Sequence, residues 1–200
     1  IDIDNDGDRD LAIGLAWKLM LMENDGSGHF TARGGYPSDG QVNSLAAADF
    51  DNDGDLDIYV CGQHPSGAIK AEQGVMGIPM PYYDANNGGP NTLHRNDGDF
   101  AFTDITKEVG MDVNNRRFSL ACAWEDFDND GDQDLYVAND FGRNNLFRND
   151  SGPEPGSRIF TDIAPEADVE DIGPGMSAAW GDYNNDGLVD LYVANMWSNA

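Results

Sequence analysis

Residues 126–139 read Asp126-Phe-Asp-Asn-Asp-Gly-Asp-Gln-Asp-Leu-Tyr-Val-Ala-Asn139. Aspartate stands at every second position for nine residues, glycine at the sixth, and a run of β-formers follows. Asp, Asn and Gly favour turns, whereas Leu-Tyr-Val favours a strand. The stretch is therefore a tight acidic loop that opens into a strand. The same nine-residue window recurs at residues 2–10 (DIDNDGDRD), 49–57 (DFDNDGDLD) and 182–190 (DYNNDGLVD). Together the four windows hold 18 of the 37 acidic residues, so the acidity is placed and not diffuse.

Working outward, each loop lies inside a longer repeat. Short apolar runs precede three of the loops: Ser44-LAAA, Ala121-CAWE and Ser177-AAWG. After each loop comes a strand-like run, ending in YV in three of the four. A third run follows at Leu19-MLMEN, Asn91-TLHRN and Asn145-LFRN, each leading into a Gly-bearing turn at Asn24, Asn96 and Asn149. A fourth run follows at His29-FT, Phe102-TDI and Phe160-TDI. Four short strands in a unit of about 45–55 residues predict a β-propeller blade. The fold class expected is all-β, with four-stranded antiparallel blades and loop-borne metal sites. Only short turns are expected near 104–109 and 162–167.

Residues 1–200 are read as one partial propeller. The spacings between first aspartates are 47, 77 and 56, so the second unit carries an insertion, residues 62–90. It holds Pro65, Pro79, Pro81 and Pro90 and reads as a surface loop. Because it follows strand two, it should leave the blade on the face opposite the acidic loops. The first unit lacks its first strand and the last lacks strands three and four, which leaves about three and a half blades. The expectation is a segment of a longer chain, or one completed by another subunit.

Charge narrows the partners. With 11 basic against 37 acidic residues the formal charge is −26. Nucleic acids and anionic membrane surfaces demand basic patches and are not expected. No apolar stretch approaches the roughly 18 residues of a membrane span, and the opening Ile1-Asp2-Ile3-Asp4 has neither the basic nor the apolar region of a signal peptide.

The loops have the pattern of an oxygen-donor cation site. Calcium takes six to eight oxygens, and a tight loop presents positions 1, 3 and 5 to one point, with glycine at 6 for the turn and a carbonyl at 7. The second window supplies Asp49, Asp51, Asp53, the Asp55 carbonyl and Asp57 at position 9. Four carboxylates so close repel one another without a cation. The fourth window has Asn184 at position 3, which still offers a carbonyl oxygen, and Leu188 at position 7, where only the backbone is needed. An EF-hand would need a glutamate at position 12; here that position holds Ile13, Val60, Val137 and Val193. Magnesium, which keeps its waters, suits the loops less well. The competing reading is a solvated Asp/Asn/Gly turn.

The stretches DFDNDGDLDIYV (49–60) and DFDNDGDQDLYVAND (126–140) resemble FG-GAP/VCBS repeats, the calcium-binding blades of integrin-α-type propellers. NNLFRND (144–150) and NDGDFAFTDITKEVGM (96–111) further resemble ASPIC/UnbV, or cartilage acidic protein-type, repeats. The resemblance implies a seven- or eight-bladed propeller with calcium between the first two strands of a blade, up to four ions in this chain. It implies as ligands Asp2, Asp4, Asp6, the Asp8 carbonyl and Asp10, with Asp126, Asp128, Asp130, the Asp132 carbonyl and Asp134 in the third loop. In the fourth they are Asp182, Asn184, Asp186, the Leu188 carbonyl and Asp190.

Other residues give weaker signals. Trp124 and Trp180 stand two residues before their loops and are expected to pack between blades; Ala47 takes that place in the second unit. His64, His94 and Asp84 could form a zinc site, but their spacing matches no compact ligand motif. Cys61 and Cys122 are either a disulfide or two buried thiols, with no catalytic context. Asn149-Asp-Ser151 is an N-glycosylation sequon expected in an exposed turn. Arg116-Arg117 is expected to form surface ion pairs. Met76, Ile78, Met80, Tyr82 and Tyr83 in the insertion make either an exposed binding strip or a local core.

These readings predict a secreted or cell-surface calcium-binding module, not an enzyme, that binds a protein, a carbohydrate or copies of itself, with calcium structural. Two alternatives stay open. One is a fibre or layer subunit assembled by strand completion between copies. The other is the propeller part of a secreted enzyme acting on polysaccharide or lipid, although no separate acid–base pair, Gly-x-Ser-x-Gly or phosphate loop is present.

Overall fold

A computed structural model describes residues 1–66, 78–150 and 159–196. Among the described residues thirteen strands form three antiparallel meanders and a hairpin, and no helix occurs. Blade one is β1 (Leu11–Leu15), β2 (Lys18–Asn24) and β3 (Phe30–Pro37). Blade two is β4 (Gly40–Ala48), β5 (Asp57–Pro65), β6 (Thr92–Asn96) and β7 (Phe102–Asp104). Blade three repeats it with β8 (Ser119–Glu125), β9 (Asp134–Asn139), β10 (Asn145–Asn149) and β11 (Phe160–Asp162). Blade four is the hairpin β12 (Gly175–Gly181) and β13 (Asp190–Asn195). This is the blade pattern the sequence predicts. The two expected turns are single turns, closed by Val109 N–H to the Ile105 carbonyl and Ala167 N–H to the Ile163 carbonyl.

Loops two, three and four each bridge strands one and two of a blade, and loop one leads directly into β1. The last ladder pairs before the three bridging loops are Ala48 with Asp57, Glu125 with Asp134 and Gly181 with Asp190. Position 9 is thus the first residue of strand two, fixed by the sheet. The first strands share a bulge, a register slip between Val42 and Ser44, Ser119 and Ala121, and Gly175 and Ser177.

Successive residues of a strand point to opposite faces, and in the central blades both faces are covered. Ile58 and Val60 join the core between blades one and two, while Tyr59 and Cys61 join the one between blades two and three. In blade three, Leu135 and Val137 turn to blade two, and Tyr136 and Ala138 to blade four. The strand-two runs therefore read as continuously apolar.

Trp124 and Trp180 do pack between blades. Trp124 of β8 stands edge-on to Tyr59 of β5 with centroids 6.3 Å apart. Trp180 of β12 does the same to Tyr136 of β9 at 6.3 Å, stacks on Phe127, and donates from Nε1 to the Ala123 carbonyl at 3.1 Å. Between blades one and two the aromatic pair is replaced by Ala47 and Ala12, and Leu45 and Tyr36 pack there against the shared core.

The insertion differs from the reading as a loop at its start. β5 continues to Pro65, paired with Gly40, so residues 62–65 are strand. Strand and insertion then touch backbone to backbone: a Cβ on Gly62 would lie 2.2 Å from the Pro90 carbonyl oxygen. Residues 67–77, with Met76, lie outside the described residues. Ile78, Met80, Tyr82 and Tyr83 are exposed, although Tyr82 contacts Phe141 at 5.0 Å between centroids.

Arg117 corrects an expectation. It is buried, and its Nη1 lies 2.6 Å from Asp84 of the insertion, so it anchors that segment to blade three from inside. Arg116 is exposed.

Candidate metal centres

The backbone of all four loops bends at the same two positions. Asn5, Asn52, Asn129 and Asn185, at position 4, have φ of 59°, 55°, 60° and 60°. Gly7, Gly54, Gly131 and Gly187, at position 6, have φ of 96°, 97°, 95° and 87°. Asparagine tolerates the left-handed region better than most side chains, and glycine enters it freely. The alternation turns the chain around a centre and brings positions 1 and 3 together in the first three loops, with position 5 joining them in the first two.

Carboxylates hold that bend. Asp49 accepts from Asp53 N–H and Gly54 N–H at 3.0 Å each, and Asp126 accepts from Asp130 and Gly131 at the same distances. Asp182 accepts from Asp186 and Gly187 at 3.1 and 2.9 Å, and Asp2 from Gly7 at 3.2 Å. The position-5 residues Asp6, Asp53, Asp130 and Asp186 each accept from the N–H two residues on, at 2.9–3.0 Å.

In three loops the geometry gathers acids. Oxygens of Asp2, Asp4 and Asp6 lie within 4.8 Å of one another, as do those of Asp49, Asp51 and Asp53, and of Asp126, Asp128 and Asp134. In the third group the position-9 residue joins positions 1 and 3. In the fourth loop Asn184 replaces one acid, and its Oδ1 accepts from Asp186 N–H at 2.8 Å.

A hard cation fits these donors. All are oxygens, as calcium requires. Asp2 Oδ1, at position 1, is buried without a hydrogen-bond partner, and such atoms ordinarily find one. Charge crowding is evident too. Burial and the neighbouring Asp6 raise the Asp4 carboxyl above its usual range; burial and Asp130 raise Asp128. Burial pushes Asp57 up to about 8 and Asp134 to about 7, against the pull of their backbone N–H donors. A bound dication would favour the ionised forms.

The sequence profile of the FG-GAP-like repeat matches residues 2–60 and 126–193, more than half of the chain. The chain belongs to the FG-GAP-like repeat family. No curated protein matches it.

Within these FG-GAP-like repeats the position-9 aspartates also organise the blades. Asp10, Asp57 and Asp134 are buried, and each accepts two backbone N–H groups. One comes from position 2 of its own loop: Ile3 at 2.8 Å, Phe50 at 3.2 Å and Phe127 at 3.2 Å. The other comes from the end of strand three: Asn24, Asn96 and Asn149, each at 2.8 Å. Two of those asparagines reach into the preceding blade. Asn96 Nδ2 donates to the Ile3 carbonyl at 2.8 Å, and Asn149 Nδ2 to the Phe50 carbonyl at 3.0 Å. A carboxylate has about four lone-pair positions, so two N–H bonds leave room for ligation.

This overturns the expectation that Asn149 lies in an exposed turn. It is the last residue of β10, fully buried, with its amide committed to Phe50 and to the Gln133 carbonyl. The sequence reading assigns no bonding role to the strand-end asparagines and none to those at position 4. The available signal was repetition, since Asn recurs at position 4 of all four windows and at the end of three third runs.

The histidines are not gathered. His64 packs edge-on to Phe118, and His94 packs against Tyr36 with Nε2 2.9 Å from Thr92 Oγ1; no acid cluster among the described residues includes either. Cys61 and Cys122 are free thiols, neighbours in the core between blades two and three, where burial pushes the Cys61 thiol up. No helix among the described residues is long and apolar enough to cross a membrane.

Proposed function

We propose that this chain is a non-catalytic, calcium-binding β-propeller module that works outside the cytosol in binding or adhesion. Calcium is structural, filling the four acidic loops and fixing the first hairpin of each blade. The observation that carries this reading is the convergence of three carboxylates within 4.8 Å in three separate loops. Four dications would bring the formal charge from −26 to −18. Extracellular modules bind calcium at about 10⁻⁴–10⁻³ M, which a cytosol does not supply; hence the location. The partner is a protein or carbohydrate surface. The likeness to ASPIC/UnbV-type repeats is part of the same reading, and the residues that carry it, 96–111 and 144–150, include the strand-end asparagines.

Calcium binds the native loops and not the unfolded chain, so it must raise stability. At a concentration of about 100 times Kd one site contributes about 2.7 kcal/mol, or roughly 5–10 °C in melting temperature for a chain of this size. Melting curves in calcium and in EDTA that coincide would sink the reading, and magnesium should give the smaller shift.

One observation favours a second reading, assembly through blade faces. Tyr192 is 69% exposed, whereas Tyr59 and Tyr136 at the same repeat position are 0% and 1% exposed beneath a tryptophan of the next blade.

A further inference from the structure

The acidic loops are tied to one another by a link the ligand positions do not use. In loop one the Asn5 amide donates to Asp55 Oδ1 of loop two at 2.6 Å and to the Gly54 carbonyl at 3.3 Å. In loop two Asn52 repeats the link onto loop three, at 2.8 Å to Asp132 Oδ1 and 3.5 Å to the Gly131 carbonyl. The donor is always position 4, held left-handed between ligand positions 3 and 5. The acceptors are always positions 6 and 7 of the next loop, beside the position-7 carbonyl. Asn129 has the same φ of 60°, but the next loop carries Leu188 at position 7, a side chain that cannot accept. Among the described residues the Asn129 amide makes no hydrogen bond, and Leu188 is 59% exposed.

We propose that the Asn5–Asp55 and Asn52–Asp132 bridges couple the calcium sites of loops one, two and three, so that these fill as a set while loop four fills alone. The proposal rests on the calcium reading of the loops. Ligation at positions 3 and 5 of one loop fixes the asparagine between them. That asparagine then holds positions 6 and 7 of the next loop, and the ordering cost of the second site is partly met before its ion arrives. Shared ordering of this kind is positive cooperativity without a change of fold. Charge does not oppose it, because each of the first three windows carries five carboxylates against one dication. Asn5 and Asn52 are positioning residues, acting through the next loop's backbone and not as ligands.

Calcium titration by calorimetry, with bound ions counted by equilibrium dialysis, tests the coupling on four proteins: wild type, the Asn5→Ala/Asn52→Ala double variant, Asn129→Ala and Leu188→Asp. Wild type should show a steep phase for three ions and a separate single-ion phase. In the double variant the steep phase should lose its cooperativity, its Hill coefficient falling toward one, and its midpoint should weaken about fivefold to tenfold, a usual size for coupling between sites. Asn129→Ala carries the same backbone cost at its φ of 60° but has no bridge to lose, so its steep phase should keep the wild-type Hill coefficient. Leu188→Asp supplies the missing acceptor and should draw the fourth ion into the steep phase; it decides the matter by itself where the double variant does not fold. A general loss of rigidity would lower the melting temperature in EDTA but would not convert a steep isotherm into a shallow one. Calcium uptake with the same steepness and midpoint in wild type and double variant overturns the coupling and leaves the calcium reading standing, as does a fourth ion that stays separate in Leu188→Asp. No uptake by wild type overturns both.

Discussion

His94 is 5% exposed, and only one of its ring nitrogens has a partner. Nε2 meets Thr92 Oγ1, Nδ1 meets nothing, and the ring lies against Tyr36. Burial lowers its pKa below the ordinary value, and Asp104, its ladder partner on β7, offsets this only in part. The fold therefore favours neutral imidazole. The unfolded chain takes up its proton near pH 6.5, so stability is whole above that value. It falls as the pH drops from about 6.5 toward the lower folded pKa, by at most about 1.4 kcal/mol per pH unit. The measurement is the urea midpoint of wild type and His94→Gln between pH 5 and 8, in calcium. The stability difference between them should shrink as pH falls; a difference constant across the range refutes the assignment. At this scale the sequence was legible where chemistry imposes spacing. Aspartates at positions 1, 3 and 5 are recognisable because an oxygen cage needs them there. The burial of Asn149 was not legible, because a sequon says nothing about which side of a strand end its amide will face.

At the scale of strands and hairpins, hydrogen bonds run unbroken from blade three to blade one. From Asp134 they pass through Asn149 to the Phe50 carbonyl, from Phe50 N–H through Asp57 and Asn96 to the Ile3 carbonyl, and from Ile3 N–H to Asp10. Asn24 ends the path, because its Nδ2 turns to the Arg9 carbonyl of its own blade at an exposed site. The two asparagines should therefore differ in worth. Asn96→Ala strips a buried carbonyl of its donor, at a cost of about 1–3 kcal/mol. Asn24→Ala releases groups that water can satisfy and should cost less than about 1 kcal/mol. Denaturant unfolding of both variants in EDTA, where ion binding plays no part, compares them directly, and equal losses would show that the path carries no cross-blade stability. Strand order and hairpin pairing were readable here because the four-run pattern repeats. The lengthening of β5 to Pro65 was not, because it depends on glycines at 40, 62 and 89 packing backbone on backbone, a contact that no local pattern encodes.

For the whole molecule, the open faces of the array carry apolar surface in repeat positions that are buried elsewhere. On β13, Tyr192 lies where Tyr59 and Tyr136 each receive a tryptophan, and Met176 of β12 is exposed as well. At the other end Leu11 and Leu15 of β1 and Phe30 of β3 are exposed. For Tyr192 the buried equivalents state what covers it: the first strand of a following blade, bringing an aromatic residue onto the ring. That blade can belong to the same polypeptide or to another copy. As a polypeptide of residues 1–200 the molecule should therefore self-associate. Sedimentation in calcium should show mean mass rising with concentration, and Tyr192→Lys, which places a charge where the aromatic should sit, should move the association to at least about tenfold higher concentration, the equivalent of 1.4 kcal/mol. Calcium belongs in the experiment because the Asp182–Asp190 loop joins β12 to β13 and sets the pose of Tyr192. A polypeptide that sediments as a monomer throughout, with Tyr192→Lys indistinguishable from wild type, would show that the face is satisfied by water alone.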